Sequence, residues 1–298
     1  MPKKSGKAST PALIGWAAAV LALGLGVGAL LGHVSCERKQ EAPKREEAVK
    51  PPHPARKSKP EPARPEPPNR ETPGPVEAPS LPKLALIIDD LGYAEPDLVK
   101  RLCSEPVPLT VAVLPYQEHT VESADLAHEM GKAVILHLPM EGIPGKDPGP
   151  DALKYDLPES EVRARTRKAL ADVPFIEGAN NHMGSRMTAD ARRMHWILEE
   201  FKGRKLYFVD SRTIATTQGW VVAHELGIPT IQRKVFLDDD KSFPEIQKQF
   251  ERALASAQKD GEAVAIGHIY PETVDALEKL IPDAKGKVQF VFVRDLVK

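Results

Sequence analysis

Five short polar motifs, each directly after an apolar run, hold the side chains best suited to chemistry. A carboxylate or imidazole at the end of a buried strand is costly unless it has partners. Five such placements in one domain therefore indicate that the side chains converge on one site. Converging Asp, Glu and His side chains favour a bound metal. The motifs are residues 88–90 (Ile-Asp-Asp), 137–141 (His-Leu-Pro-Met-Glu), 180–184 (Asn-Asn-His-Met-Gly), 209–211 (Val-Asp-Ser) and 266–268 (Ile-Gly-His).

The elements that must position these motifs follow from the apolar pattern. Continuous apolar strands separated by helices predict a parallel sheet covered on both sides. About eight such units could close into a deformed (β/α) barrel, in which reactive groups come from the carboxyl ends of the strands. An open doubly wound sheet is the alternative, but no Gly-x-Gly-x-x-Gly follows the first strand. Strands are predicted at 84–88, 109–114, 133–138, 175–179, 206–209, 229–231, 263–266 and 288–293, and helices at 121–130, 159–171, 189–201, 219–226, 243–257 and 272–280.

Residues 1–36 have the pattern of a membrane anchor. Three lysines near the start precede 22 uncharged residues, 11–32, which is long enough for a helix to cross a bilayer. A cleaved signal peptide has a shorter apolar core, so we predict an uncleaved signal anchor. Lipidation of Cys36 is the weaker alternative, because His33 stands where such signals have an aliphatic residue.

Residues 37–82 are predicted to be a disordered linker. The segment holds 13 of the 29 prolines, with charged residues between them and no aromatic residue. It has too little apolar surface to offset the entropy of ordering, and its prolines favour extended conformers. A proline-rich docking ligand is less favoured, because the prolines show no repeated spacing.

Residues 83–298 are predicted to form one domain with its own core. We expect it on the extracytoplasmic (periplasmic) side of the inner membrane, held by a single-pass helix, since long domains are translocated largely regardless of charge. The net charge of the chain is −1, without a basic stripe, so nucleic acid is not an expected partner. The expected partners are the membrane, an envelope glycan and cell-envelope proteins.

The order and spacing of the polar motifs resemble the divergent branch of the polysaccharide deacetylases, over essentially all of residues 83–298. The resemblance implies a deformed (β/α) barrel with a divalent metal, usually zinc. It also implies hydrolysis of N-acetyl groups on a cell-envelope polysaccharide such as peptidoglycan. By position, Asp89 resembles the catalytic base, Asp90 the metal-binding carboxylate and His268 the general acid.

The metal ligands depart from the family pattern at one position. His137 resembles the first histidine of the His-x-x-x-His motif, but Glu141 stands where the second would be. The usual arginine turn after the fourth strand is replaced by residues 180–186, where His182 could supply the missing imidazole. The preferred ligand set is Asp90, His137 and His182.

Four further residues receive supporting roles. Glu141 and Asp210 are candidates for an additional metal ligand or for a group that orients a ligand. Asn181 and Arg186 are candidates for substrate binding.

Three functions remain open from the sequence. A metal-dependent deacetylase fits the motifs, because amide hydrolysis needs an activated water, a base and an acid for the leaving amine. A deacetylase-fold domain without turnover, binding a glycan or an envelope protein, is favoured by the missing second histidine. A metal-dependent esterase or phosphoesterase is the third. A serine hydrolase is disfavoured, since no Gly-x-Ser-x-Gly is present.

Overall fold

The computed structural model describes residues 80–143 and 146–298, in which strands and helices alternate along most of the chain. The strands of this part are β1 (Lys83–Leu91), β2 (Thr110–Val113), β3 (Ala133–Met140), β4 (Ile176–Met183), β5 (Tyr207–Asp210), β6 (Thr230–Gln232), β7 (Val235–Phe236), β8 (Glu262–His268) and β9 (Gln289–Val291). The helices are α1 (Pro96–Cys103), α2 (Thr120–Glu129), α3 (Glu159–Asp172), α4 (Ala191–Glu199), α5 (Gly219–Glu225), α6 (Phe243–Asp260) and α7 (Pro271–Ala284), and a 3-10 turn covers Val293–Asp295.

The strands form one curled, parallel sheet. Its order is β6-β5-β4-β3-β2-β1-β8-β7, and β9 pairs with the first residues of β1 on the edge opposite β8. Every strand pair in the described part of the chain is parallel, as expected where helices carry the chain back between strands. The predicted parallel α/β architecture is confirmed. The eight strands along the path form a half-barrel, because β6 and β7 lie at its two ends and are not paired with each other.

Side chains that alternate along the strands build two separate apolar layers. One layer packs under the helices and includes Leu84, Leu86 and Ile88 of β1. The other covers the face of the sheet that carries no helices, which we call the inner face. Its members are Ala85, Ile87, Ala112, Ile135, Tyr207, Val209, Val264, Ile266, Val291, Val293 and Leu296.

The same alternation carries polar residues onto the inner face at the carboxyl ends of the strands. Asp89 is in phase with Ala85 and Ile87, and His137 is in phase with Ile135. Parallel pairing then sets their neighbours: Asp89 lies opposite His268, and His137 lies opposite Asn180.

Backbone turns of unusual conformation end three of these strands. Asp90, Met183 and Arg212 have φ values of 66°, 54° and 48°, in the left-handed region that non-glycine residues rarely adopt. All three lie where β1, β4 and β5 leave the sheet. Such strained positions are typical of sites whose side chains must be aimed in a fixed direction.

The predicted anchor, 1–36, and nearly all of the predicted linker, 37–82, lie outside the described residues. Within 80–143 and 146–298, no helix has both the length and the apolar character needed to cross a membrane.

Candidate metal centre

Asp90, His137 and His182 bring three metal-ligand atoms together at the mouth of the half-barrel. His137 Nε2 and His182 Nδ1 lie 3.2 Å and 3.1 Å from Asp90 Oδ1, and 3.1 Å from each other. The two imidazole rings meet edge to face, with a 72° angle between their planes. The three residues come from β1, β3 and β4, of which β3 and β4 are neighbours in the sheet while β2 lies between β1 and β3.

The orientation of His137 is set from behind by an amide. Asn180 Oδ1 lies 2.6 Å from His137 Nδ1, and the Asn180 amide nitrogen donates to Asp89 Oδ1 at 2.8 Å. Because the amide oxygen can only accept, the proton of a neutral His137 ring belongs on Nδ1. The lone pair on Nε2 then faces Asp90 and His182, which is the arrangement of a metal-binding histidine.

The unpaired oxygen of Asp90 fits the same interpretation. Asp90 Oδ1 is buried, and although the two imidazole nitrogens lie 3.2 Å and 3.1 Å away, none of its contacts among the described residues has the geometry of a hydrogen bond. Burial alone would raise the pKa of Asp90, but the imidazoles of His137 and His182 outweigh it and hold the pKa well below the ordinary range. An ionised, buried oxygen that faces two imidazole nitrogens matches the donor set of a divalent metal such as zinc.

Asp89 lies beside the cluster without joining it. Its Oδ2 is 3.7 Å from His137 Nε2, and the side chain is almost completely buried. Burial raises the pKa of Asp89, against the opposing effects of His137, His268 and the Asn180 hydrogen bond. A buried carboxylate of raised pKa next to a candidate metal site has the character of a general base.

His268 is held by the buried carboxylate of Asp238, which lies in the connection between β7 and α6. Its Nδ1 is 2.8 Å from Asp238 Oδ1, and Asp238 Oδ2 accepts from the His268 backbone N–H at 2.6 Å and from Thr273 Oγ1 at 2.7 Å. Burial disfavours the charged imidazole, but the Asp238 hydrogen bond and the nearby carboxylates raise the pKa of His268 to about 9. His268 is therefore protonated at neutral pH.

Glu141, which occupies the position of the second family histidine, is directed away from the cluster. One of its oxygens accepts from the Tyr155 backbone N–H at 2.6 Å, and the other pairs with Arg186. Those contacts hold its pKa below the ordinary value, in spite of partial burial. The carboxylate therefore joins the β3–α3 and β4–α4 loops, and its predicted role as an additional metal ligand or as a group that orients a ligand stays a prediction.

The hydrogen bonds of Asp210 and Asn181 are made to groups at the end of β4 and in the loop after β5. Asp210 is fully buried, and it accepts hydrogen bonds from the Arg212 backbone N–H, Thr217 Oγ1 and the Trp220 backbone N–H. The Asn181 side chain is buried and bonded to the backbone of Met183 and Ser211 at its two polar ends. The predicted roles of Asp210, as a metal ligand or a group that orients one, and of Asn181, in substrate binding, stay predictions.

Arg186 remains on the accessible side of the site. It packs over the Tyr155 ring, with its Cζ 4.3 Å from the ring centroid. Together with Glu141, Lys146 and Lys154 it lines a groove of about 490 Å³. The predicted substrate contact of Arg186 stays a prediction.

Sequence reasoning missed two residues that orient the chemistry. Asn180 lies two positions before His182 on β4, so strand alternation alone would have placed both on the same face. Asp238 begins the run Asp238-Asp239-Asp240, a pattern that is typical of a solvated turn. It is buried because it follows the short strand β7 and faces His268, whereas Asp239 and Asp240 are exposed.

Comparisons with known proteins agree with this architecture. A family model described as divergent polysaccharide deacetylase matches residues 86–297. The uncharacterized protein YibQ of Escherichia coli K12 is 38% identical over 215 residues, which cover 72% of this chain and 67% of YibQ. An uncharacterized protein of Haemophilus influenzae is 31% identical over 214 residues, covering 72% of this chain and 76% of that protein.

The fold is shared with a solved structure. The crystal structure of the uncharacterized protein ATU2773 from Agrobacterium tumefaciens C58 matches with a TM-score of 0.69 at 22% identity, covering 75% of this chain and 92% of that chain. The family model and the relatives together establish the relationship that the polar motifs suggest. The chain belongs to the divergent polysaccharide deacetylase family.

Proposed function

We propose that this protein is a metal-dependent hydrolase that removes N-acetyl groups from a cell-envelope polysaccharide such as peptidoglycan. The observation that carries the proposal is the meeting of Asp90, His137 and His182, with Asp89 and His268 beside them. One site thus offers a three-ligand cluster, a buried carboxylate and a protonated imidazole. Amide hydrolysis needs these three functions together.

Asp90, His137 and His182 are the residues that would hold the metal, for which zinc is proposed because of the two imidazole ligands. When bound, zinc supplies a Lewis acid that lowers the pKa of water and polarises a carbonyl oxygen. Asn180 positions two residues of the site, because its amide hydrogen-bonds the His137 ring and also restrains Asp89.

Asp89 and His268 divide the proton transfers. Asp89 takes a proton from the water whose oxygen attacks the acetyl carbonyl carbon. As the carbon–nitrogen bond breaks, the imidazolium of His268 donates its Nε2 proton to the departing amine, and acetate remains. Asp238 stabilises the charged form of His268 before that transfer through the hydrogen bond at Nδ1.

The position of His182 bears on the proposal of a domain without turnover. That alternative is motivated by Glu141 in place of the second histidine. The cluster nevertheless contains two imidazoles, because His182 enters from the next strand. This observation favours the hydrolase.

We also propose that the domain works outside the cytoplasm on a tether, from the anchor and linker patterns of residues 1–36 and 37–82. Protease treatment of intact spheroplasts tests it. Digestion of the domain without lysis supports the proposal, and protection until lysis contradicts it.

Acetate release tests the catalytic proposal. The full-length chain, loaded with Zn²⁺, is assayed on N-acetylglucosamine oligomers and on purified peptidoglycan beside the Asp89→Asn variant. We expect release by the parent chain and a loss of about 10²-fold or more in the variant at equal zinc content. Cleavage of an aryl acetate ester without release from either glycan would favour the esterase alternative instead.

A further inference from the structure

Arg233 lies at the barrel mouth with part of its guanidinium unused. Its Nε donates to the Ser211 carbonyl at 2.6 Å, and its Nη2 donates to the Arg212 carbonyl at 2.9 Å. No Asp or Glu oxygen of the described residues lies within ion-pair distance of it. Burial lowers the pKa of Arg233 to about 10, in spite of the opposing effects of the Asp239, Asp89 and Asp210 carboxylates, so the cation is partly desolvated.

Ser211 adds a second unsatisfied group beside this guanidinium. The residue is 1% exposed, and its Oγ has no hydrogen-bond partner in the part of the chain that the structure describes. Ser211 directly follows β5, whose inner-face residues are Tyr207 and Val209, and its backbone N–H donates to Asn181 Oδ1 at 2.9 Å. A buried hydroxyl without a partner is uncommon in a folded protein and indicates a missing ligand atom or water.

Both groups border the strands of the candidate site: Ser211 follows β5, the sheet neighbour of the strand β4 that carries His182, and Arg233 is bonded to the Ser211 carbonyl. Arg233 Cζ lies 3.9 Å from the centroid of the Phe236 ring, and Phe236 is stacked against His268 with ring centroids 5.6 Å apart. One aromatic ring therefore connects Arg233 with the proposed general acid. Arg233 also lies in the connection between β6 and β7, where the sheet is open.

We propose that Arg233 and the Ser211 hydroxyl bind a carboxylate on the glycan, so that the substrate is an N-acetylated glycan with carboxylate-bearing sugars. This rests on the proposed function for the identity of the glycan. The free N–H groups of a guanidinium and one hydroxyl match the two oxygens of a carboxylate. A phosphate dianion fits less well, because a single guanidinium would face its second negative charge while the carboxylates of Asp239, Asp89 and Asp210 already act on that guanidinium.

Binding to two matched glycans tests the proposal. The ligands are a tetrasaccharide of alternating N-acetylglucosamine and N-acetylmuramic acid with free lactyl carboxylates, and the same tetrasaccharide with those groups converted to methylamides. Titration calorimetry uses the full-length Asp89→Asn chain loaded with Zn²⁺, which prevents turnover. We expect the acidic ligand to bind about tenfold more tightly than the methylamide.

Three variants distinguish recognition of the carboxylate by Arg233 from a role of Arg233 that only supports the loop. Arg233→Gln should abolish the preference by weakening only the acidic ligand, and Ser211→Ala should reduce the preference about threefold. Arg252→Gln, an equal charge change on the exposed face of α6, should leave both affinities unchanged. Equal weakening of both ligands by Arg233→Gln would show that the arginine only supports the loop, which overturns the proposal.

Ser211→Ala keeps the test decisive if Arg233→Gln fails to fold. It removes a hydroxyl that has no partner among the described residues, so the thermal unfolding midpoint should not fall. An unchanged preference in this variant, or no preference in the parent chain, contradicts the proposal. Acetate release is measured separately, so a failure of catalysis with a retained carboxylate preference rejects the proposed function and not this inference.

Discussion

The Nδ1 atom of His182 lies 3.1 Å from the Nε2 atom of His137, and the two residues come from adjacent parallel strands. In the His-x-x-x-His pattern both imidazoles come from one segment of chain. Here the second imidazole enters from β4, and Glu141 is free to tie two loops together through Arg186 and Tyr155. The ligand cluster is therefore built across strands rather than along one.

The Asn180 amide should control metal affinity without touching the metal. Replacement by alanine removes the acceptor that holds the proton on His137 Nδ1 and also frees Asp89. We expect Asn180→Ala to weaken Zn²⁺ binding by about 10–100-fold, the usual effect of losing a group that orients a ligand. Competition with a calibrated zinc chelator measures it. Replacement of the half-exposed His195, on helix α4, is the control and should have no effect.

The pH dependence of kcat/KM should be bell-shaped. On the acidic side activity rises as Asp89 loses its proton, above the ordinary carboxyl pKa because burial raises it. On the basic side activity falls as pH rises through about 9, where His268 loses its proton. A His268→Gln variant with residual activity should not show the same fall of kcat/KM at basic pH. An unchanged fall would contradict the assignment of His268 as the general acid.

Asp238 should set the position of that basic limb. Asp238→Asn removes the charge that raises the pKa of His268, so the loss of activity should move from about 9 toward the ordinary value of 6.5. The profile of an Asp240→Asn variant is the control, because that carboxylate is exposed. If both profiles match that of the parent chain, the hydrogen bond between Asp238 and His268 does not control the acid.

Asp210 should matter for stability and not for metal. Asp210→Ala leaves two backbone N–H groups and the Thr217 hydroxyl without their acceptor in a buried loop. We expect a loss of about 2–4 kcal/mol in the free energy of unfolding, with unchanged zinc stoichiometry. Denaturant unfolding measures the first, and elemental analysis measures the second. Lost zinc in a folded variant would restore the metal role expected from the sequence.

Most of the fold could be predicted because parallel strands buried on both faces are continuous apolar runs. Each predicted strand coincides with an observed one, including 288–293, which contains β9. Strand β7, helix α1 and the 3-10 turn were not predicted. Strand β7 has only two residues, and α1 follows its N-cap Glu95 with Pro-Asp, which resembles a turn until its buried face of Val99, Leu102 and Cys103 is seen.

Only part of the candidate site could be predicted from the sequence. The strand ends located Asp89, Asp90, His137 and His268, because costly polar residues there need partners. The contacts of Glu141, Asn181 and Asp210 depend on where the loops fold back, which strand periodicity does not encode. The role of Asp238 could not be predicted for the same reason, since its partner His268 is 30 residues away in the sequence.

Metal content tests the central claim most directly. The full-length chain is incubated with Zn²⁺, desalted and analysed for zinc and protein, beside the His182→Ala and Glu141→Gln variants. We expect near-stoichiometric zinc in the parent chain and in Glu141→Gln, and almost none in His182→Ala. Zinc that is retained without His182 but lost in Glu141→Gln would contradict the cluster of Asp90, His137 and His182.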